Sequence, residues 1–217
     1  IATGHCDTPF VPECAAHAPA DLRQVVPTRY RRPSDLPEGG VLVVGASATG
    51  VQLADELHAS GRPVTLAVGH HTRLPRRYRG RDILWWLDAM GVLDQRIDQV
   101  PDPRASVRQP SLQLVGRVKP QTLDLLALHR SGVRLAGRLL DFTGHTAHFD
   151  DDLIATTAAA DLKLAALRLR IDAFVRERGL EGDVEPAEPF APTWPLGLAG
   201  PEHVDLKAAG VSGIVWA

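Results

Sequence analysis

The residues best suited to chemistry are Gly45, Ala46, Ser47, Ala48, Thr49 and Gly50, which follow the aliphatic run "VLVV" at positions 41–44. A diphosphate needs backbone N–H groups that approach closely and the positive end of a helix. Gly45 suits a tight turn straight out of a strand, and Gly50 suits close packing of the following helix on that strand. Between them, Ser47 stands where such fingerprints carry a second glycine. Serine is small, and its hydroxyl is itself a donor to phosphate. The expected ligand is a dinucleotide, with Gln52 alongside the loop.

The next question is which dinucleotide. NAD-binding units place an Asp or Glu about 20 residues on, at the end of the second strand, to hold the ribose 2′-hydroxyl. Here that region reads "LAVGHHTR" and has no carboxylate. Arg73, Arg76, Arg77, Arg79 and Arg81 follow it. A guanidinium binds a 2′-phosphate in bidentate fashion where a carboxylate repels it. The composition of the loop predicts NADPH, with Arg73, Arg76 and Arg77 as candidate contacts and Arg73 nearest the strand end. The competing reading of each arginine is a solvated or docking residue.

Other constellations carry less. His70 and His71 are neighbours on an extended segment and point apart, and no Cys/His/carboxylate cluster lies near them in sequence, so no metal is expected. "GASATG" is not a nucleophile elbow, because position 49 is threonine where the elbow needs glycine. YxxxK and CxxC are absent. Trp85, Trp86 and Trp194 could stack on a ring cofactor, though such residues more often fill a core or an interface.

Elements able to position the loop are legible around it. "VLVV" reads as a strand buried on both faces of a parallel sheet. Residues 49–60 have helical spacing and "PVTLAV" (63–68) is a second buried strand, so strand, glycine turn, helix and strand make a βαβ unit. Helices are predicted over 82–94, over 120–132 closed by Gly132, and over 151–178. Asp150, Asp151 and Asp152 lie at the start of the last of these, which suits a helix N-terminus. "VRLAGRLLDFTGHTAHF" reads as short strands with a hairpin tip at Thr143-Gly144. Residues 1–40 and 183–205 are proline-rich and predicted to be extended or turn-rich. The fold class is α/β, a Rossmann-like three-layer nucleotide-binding fold with a parallel sheet and an added β-hairpin and long helix.

Length and composition agree with one sizeable soluble domain, or one domain plus an insertion: 217 residues, 44% hydrophobic and 23% charged, with formal net charge −2. That balance gives no field directed at nucleic acid or membrane, and no apolar run approaches the roughly 20 residues of a membrane helix. Cys6 and Cys14 read as thiols, and the expected location is cytoplasmic. The opening "IAT" and the closing "GIVWA" both read as strand, as if cut from something larger.

Three stretches, "IATGHCDTPFVP", "VLVVGASATGVQLADEL" and "LPRRYRGRDILWWLDAMGVLD", resemble the flavin-containing monooxygenase-like FAD/NADPH-dependent oxidoreductases. These include a group of flavoproteins named for involvement in potassium transport, with Baeyer–Villiger-type enzymes as more distant relatives. The resemblance implies an NADPH-binding domain inserted between two ATG-type hinges of an FAD domain, with Ala2, Thr3 and Gly4 as the first hinge and Trp216-Ala217 at the edge of the second. It also implies that NADPH reduces FAD and that the reduced flavin activates dioxygen. By resemblance Gly45, Ser47 and Gly50 match the NADPH fingerprint, with Ala48, Thr49 and Gln52 beside it. The family signature has His-Ser ahead of a tyrosine; "VVPTRY" keeps Tyr30 but has Val26-Pro27, which leaves oxygenation and plain NADPH oxidation both in view.

The expected organisation is residues 1–40 as hinge and linker, 41–210 as the NADP(H)-binding domain and 211–217 as a strand returning to the FAD domain. The expected partners are that FAD domain and a small-molecule substrate, with no nucleic acid or membrane, and a homodimer is compatible. These residues alone are expected to be catalytically silent. The rival function is a non-enzymatic dinucleotide-sensing regulatory module, and a third is a scaffold whose nucleotide site has decayed.

Overall fold

The computed structural model describes residues 8–104, 109, 111–114, 122–193 and 199–217. The Ala2-Thr3-Gly4 hinge, Cys6, the start of the helix predicted over 120–132, and Trp194 lie outside them.

The sheet that carries the glycine loop has five parallel strands in the order β1-β10-β2-β3-β6. These are β1 (Arg23–Val25), β2 (Gly40–Val44), β3 (Val64–Ala67), β6 (Arg134–Ala136) and β10 (Val211–Trp216). Helix α1 (Ala48–Ala59) joins β2 to β3 as predicted, and Val41 to Val44 pair with Val64 to Ala67. Burial of both faces explains the unbroken aliphatic runs in β2 and β3.

On one face, α1 and α3 (Leu125–Ser131) pack Val51, Leu57, Leu125 and Leu128 against Val41, Val43 and Leu66. Asp124 caps α3 by accepting the Ala127 N–H at 2.8 Å, so the helix starts later than the predicted position 120. Gly132, with φ of +114°, closes it as expected. The opposite face is covered by a sheet rather than a lone hairpin: β7 (Leu139–Thr143), β8 (Thr146–Phe149) and β9 (His203–Asp205) form an antiparallel layer. Leu42, Ala67 and Ile214 of the parallel sheet meet Phe142, Phe149 and Val204 there. The three layers are therefore helix, parallel sheet and antiparallel sheet. The remaining strands, β4 (Arg77–Tyr78) and β5 (Arg81–Asp82), form a short pair beside the arginine loop.

A third cluster joins α2 (Ile83–Ala89) to α4 (Leu153–Glu177), with Trp86, Ile171 and Val175 at its centre. Helix α2 is shorter than predicted; the Val92 N–H turns back to the Leu87 carbonyl at 2.8 Å. Asp150, Asp151 and Asp152 precede α4 rather than forming its first turn. Two of them hold Arg138: Asp150 accepts from its guanidinium at 2.7 Å and Asp152 from its backbone N–H at 2.9 Å.

Residues at both ends, set apart in the sequence reading, belong to the same sheet. Val211–Trp216 lies between β1 and β2, and Arg23–Val25 flanks it. Trp216 Nε1 donates to Gln24 Oε1 at 3.0 Å, which ties the two strands together. No helix among the described residues is long and apolar enough to cross a membrane.

Two His–Asp pairs fasten residues 12–22 to the antiparallel layer. His17 Nδ1 lies 2.8 Å from Asp141 Oδ1, and His145 Nε2 lies 2.9 Å from Asp21 Oδ1. A hydrogen bond from the histidine, ahead of other causes, holds each carboxyl below its ordinary value of 3.8. A depressed carboxyl stabilises the fold fully above the unfolded value, and that contribution is lost as pH falls through the folded value. Amide exchange in residues 12–22 is therefore expected to quicken below pH 3.8, ahead of the parallel sheet. Equal protection of both regions through that range would refute the assignment.

Candidate functional site

Gly45 leaves β2 with φ of +109°, and its N–H donates to the Ala67 carbonyl at 3.0 Å. A side chain is excluded there, since an added Cβ would stand 2.2 Å from the Ala217 oxygen. At Gly50 an added Cβ would stand 1.9 Å from the Gly45 oxygen. The end glycines of the fingerprint are thus required by contact between the first turn of α1, the loop and the end of β10. Ser47 is the α1 N-cap residue but makes no capping bond with its side chain. The first helical bond is Val51 N–H to the Ser47 carbonyl at 3.1 Å, so the N–H groups ahead of it have no acceptor within the helix. Thr49 is exposed and Ser47 and Ala48 are half-buried, so the loop faces solvent.

The loop sits at a topological switch point. From β2 the chain crosses through α1 to β3 on one side, while β10 occupies the other. Ligands of open α/β sheets bind in the crevice at the carboxyl ends of strands at such a point. A cavity of 250 Å³ lies there, lined by Val44, Gly45, Gly69, Arg138, Trp216 and Ala217 among others. A larger cavity of 700 Å³ lies by β6, among His129, Arg134, His203 and Asp205, and includes no residue of the glycine loop. We assign the site to the smaller one, because Gly45 of the glycine turn and the cation Arg138 both line it.

That cation was not singled out by the sequence. Arg138 follows β6, far along the chain from the fingerprint, and only the pairing of β6 with β3 brings it to the crevice. Its side chain is 54% exposed, with one terminal nitrogen on Asp150 at 2.7 Å. The Asp150 hydrogen bond raises its pKa further, so it stays charged.

The arginines after β3 are engaged elsewhere. Arg73 has 10% of its side chain exposed and binds Asp161 Oδ1 at 2.7 Å and Asp124 Oδ2 at 3.0 Å. It also donates to the Ala191 carbonyl at 2.9 Å. Arg76 pairs with Asp82 at 2.6 Å, and Arg77 donates to the Gly80 carbonyl. Arg79 pairs with Asp172 of α4 at 2.9 Å, and Arg81 lies over the Trp85 ring at 5.3 Å from its centroid. The loop docks on α4 and residues 183–191 through these contacts, which is the docking reading of the arginine run. Gln52, exposed on α1, donates to the Leu114 carbonyl at 3.2 Å.

His71 is buried with Nδ1 on the Gly69 carbonyl at 3.0 Å, its pKa lowered chiefly by burial, while His70 is exposed. Among the described residues no group of three or more His, Cys, Asp or Glu side chains could hold a metal. Trp86 is fully buried and donates to the Tyr78 carbonyl at 2.8 Å, whereas Trp85 is 41% exposed. Among the described residues Cys14 is a free thiol. Tyr30 packs against the helix-side core.

Fold and loop together define a Rossmann-like α/β unit with a glycine fingerprint turn. No protein-family model matches the chain. An uncharacterized oxidoreductase CzcO-like protein of Geobacillus kaustophilus is 40% identical over 137 residues, covering 58% of this chain and 39% of that protein. An uncharacterized oxidoreductase CzcO of Bacillus subtilis is 35% identical over 94 residues, covering 43% of this chain and 27% of that protein. The chain is similar to these oxidoreductases and spans less than half the length of either relative. A solved flavin monooxygenase from Stenotrophomonas maltophilia is 13% identical, with a TM-score of 0.41 over 67% of this chain and 35% of that one, too distant to add weight.

Proposed function

We propose that these residues are the NADPH-binding part of an FAD-dependent, monooxygenase-like oxidoreductase. The observation that carries this is the glycine turn at the switch point, where Gly45 and Gly50 leave no room for a Cβ. Such a turn lets backbone amides close on a diphosphate. Ser47, Ala48 and Thr49 present their N–H groups to it. Arg138, on the cavity wall, meets the 2′-phosphate in the role first sought among Arg73, Arg76 and Arg77. Gly69 and His70 put no carboxylate at the end of β3, and the phosphate would share the Arg138 guanidinium with Asp150.

NADPH, when bound, supplies a hydride from its nicotinamide ring. The flavin that accepts it is assigned to residues beyond this chain, whose one glycine fingerprint is committed to β2. The chain's own part is to bind and orient the nucleotide, and no acid or base here is assigned to proton transfer.

The test is titration of the protein with NADPH and NADH. NADPH is expected to bind more tightly, with an advantage that shrinks as salt rises. Arg138→Ala should weaken NADPH about tenfold, the scale of one charged hydrogen bond, and leave NADH unchanged. Equal affinity for the two nucleotides would remove the arginine argument; no binding of either would remove the whole reading.

A further inference from the structure

We infer that Gln113 is a positioning residue for the diphosphate cradle, a role that rests on the dinucleotide reading above. Gln113 is 2% exposed, and its Nε2 donates to the Ala46 carbonyl inside the glycine turn at 2.5 Å. Its backbone N–H donates to the Thr72 carbonyl at 2.9 Å. Leu112 forms a parallel bridge with Thr72, and the Leu114 carbonyl accepts from Gln52 on α1. Residues 112–114 thus form a strap tied to the glycine turn, to the helix behind it and to the loop after β3.

The chemistry of the amide decides what the strap does. Only the NH2 end of a glutamine can face a carbonyl. Among the described residues Gln113 Oε1 is buried without a partner, so the amide is held at the turn through its donor. The peptide joining Ala46 and Ser47 is trans, like the others described, and a trans peptide points its C=O and N–H in opposite directions. Drawing the Ala46 oxygen toward Gln113 therefore turns the Ser47 N–H away from the strap. Ser47 caps α1 and is the middle position of the fingerprint. With serine there, the backbone has less freedom than glycine would allow, and a buried side chain distant in sequence holds the peptide in place.

The test compares Gln113→Leu and Gln113→Glu with the unaltered protein, using NADPH and adenosine 2′-monophosphate as probes. Gln113→Leu removes the donor and should weaken NADPH about tenfold, one hydrogen bond's worth. Adenosine 2′-monophosphate lacks the diphosphate, so its affinity should hold within about twofold. In Gln113→Glu the donor exists only while the carboxyl is protonated, so NADPH affinity should recover as pH falls, with no such recovery in Gln113→Leu. NADPH affinity unchanged in Gln113→Leu would overturn the inference. So would equal weakening of both probes together with a lowered melting temperature, the mark of a purely structural role. If Gln113→Leu fails to fold, the pH profile of Gln113→Glu decides. An unaltered protein that binds no dinucleotide refutes the underlying reading instead.

Discussion

Gly50→Val is expected to abolish NADPH binding and to destabilise the fold by about 3 kcal/mol, the upper range for overpacking. The neighbour a Cβ would strike, at 1.9 Å, is the backbone oxygen of Gly45. A flexible side chain could swing aside, but this carbonyl belongs to a turn held by Gly45 N–H on the Ala67 oxygen and by Ala217 N–H on the Val44 oxygen. Relief must come from α1 lifting off the sheet, which exposes Val51 and Leu57, both fully buried. The same movement carries the first-turn N–H groups away from the crevice. Urea denaturation and a nucleotide titration on one sample test both effects. A variant that loses stability yet binds NADPH normally would show that the nucleotide site lies elsewhere.

The second large effect is expected at Arg73 and Asp161. Both side chains are nearly buried, and Asp161 also accepts from the Thr193 N–H and hydroxyl at 2.7 Å each. Asp161→Ala leaves Arg73 with Asp124 and the Ala191 carbonyl and strips two donors at Thr193 of their acceptor. Removing one member of a buried ion pair costs about 3–5 kcal/mol. Arg73→Met should cost a comparable amount by stranding Asp161. Because Arg73 ties the loop after β3 to α3 and α4, its loss should lower the denaturation midpoint while preserving the ratio of NADPH to NADH affinity. A collapse of that ratio at unchanged stability would return the 2′-phosphate role to Arg73.

Local chemistry made the centre of the site legible. Residues 41–67 contain everything needed to form strand, turn, helix and strand, because hydrophobic periodicity and glycine act over a few residues. Gly132 ending α3 and the long apolar stripe of α4 are readable for the same reason. The resemblance carried by three short stretches is likewise local, and the relatives to which the chain is similar are named oxidoreductases.

What depended on pairings across the whole chain was not readable. Arg23–Val25 is three residues in a proline-rich stretch, and it is a strand only because β10, nearly two hundred residues later, supplies its partners. "GIVWA" was recognisable as strand, but its place at the centre of the sheet follows from pairing with β2. The arginine run shows the same limit. Its charge is plain in the sequence, yet Asp124, Asp161 and Asp172, which engage it, come from separate later segments. Arg138 and Gln113 carry no spacing signal, since each reaches the loop only after β6 or the strap has docked. Short-range geometry wrote the glycine turn into adjacent residues; the cation and the clamp around it exist only once distant backbone and buried charge have come together.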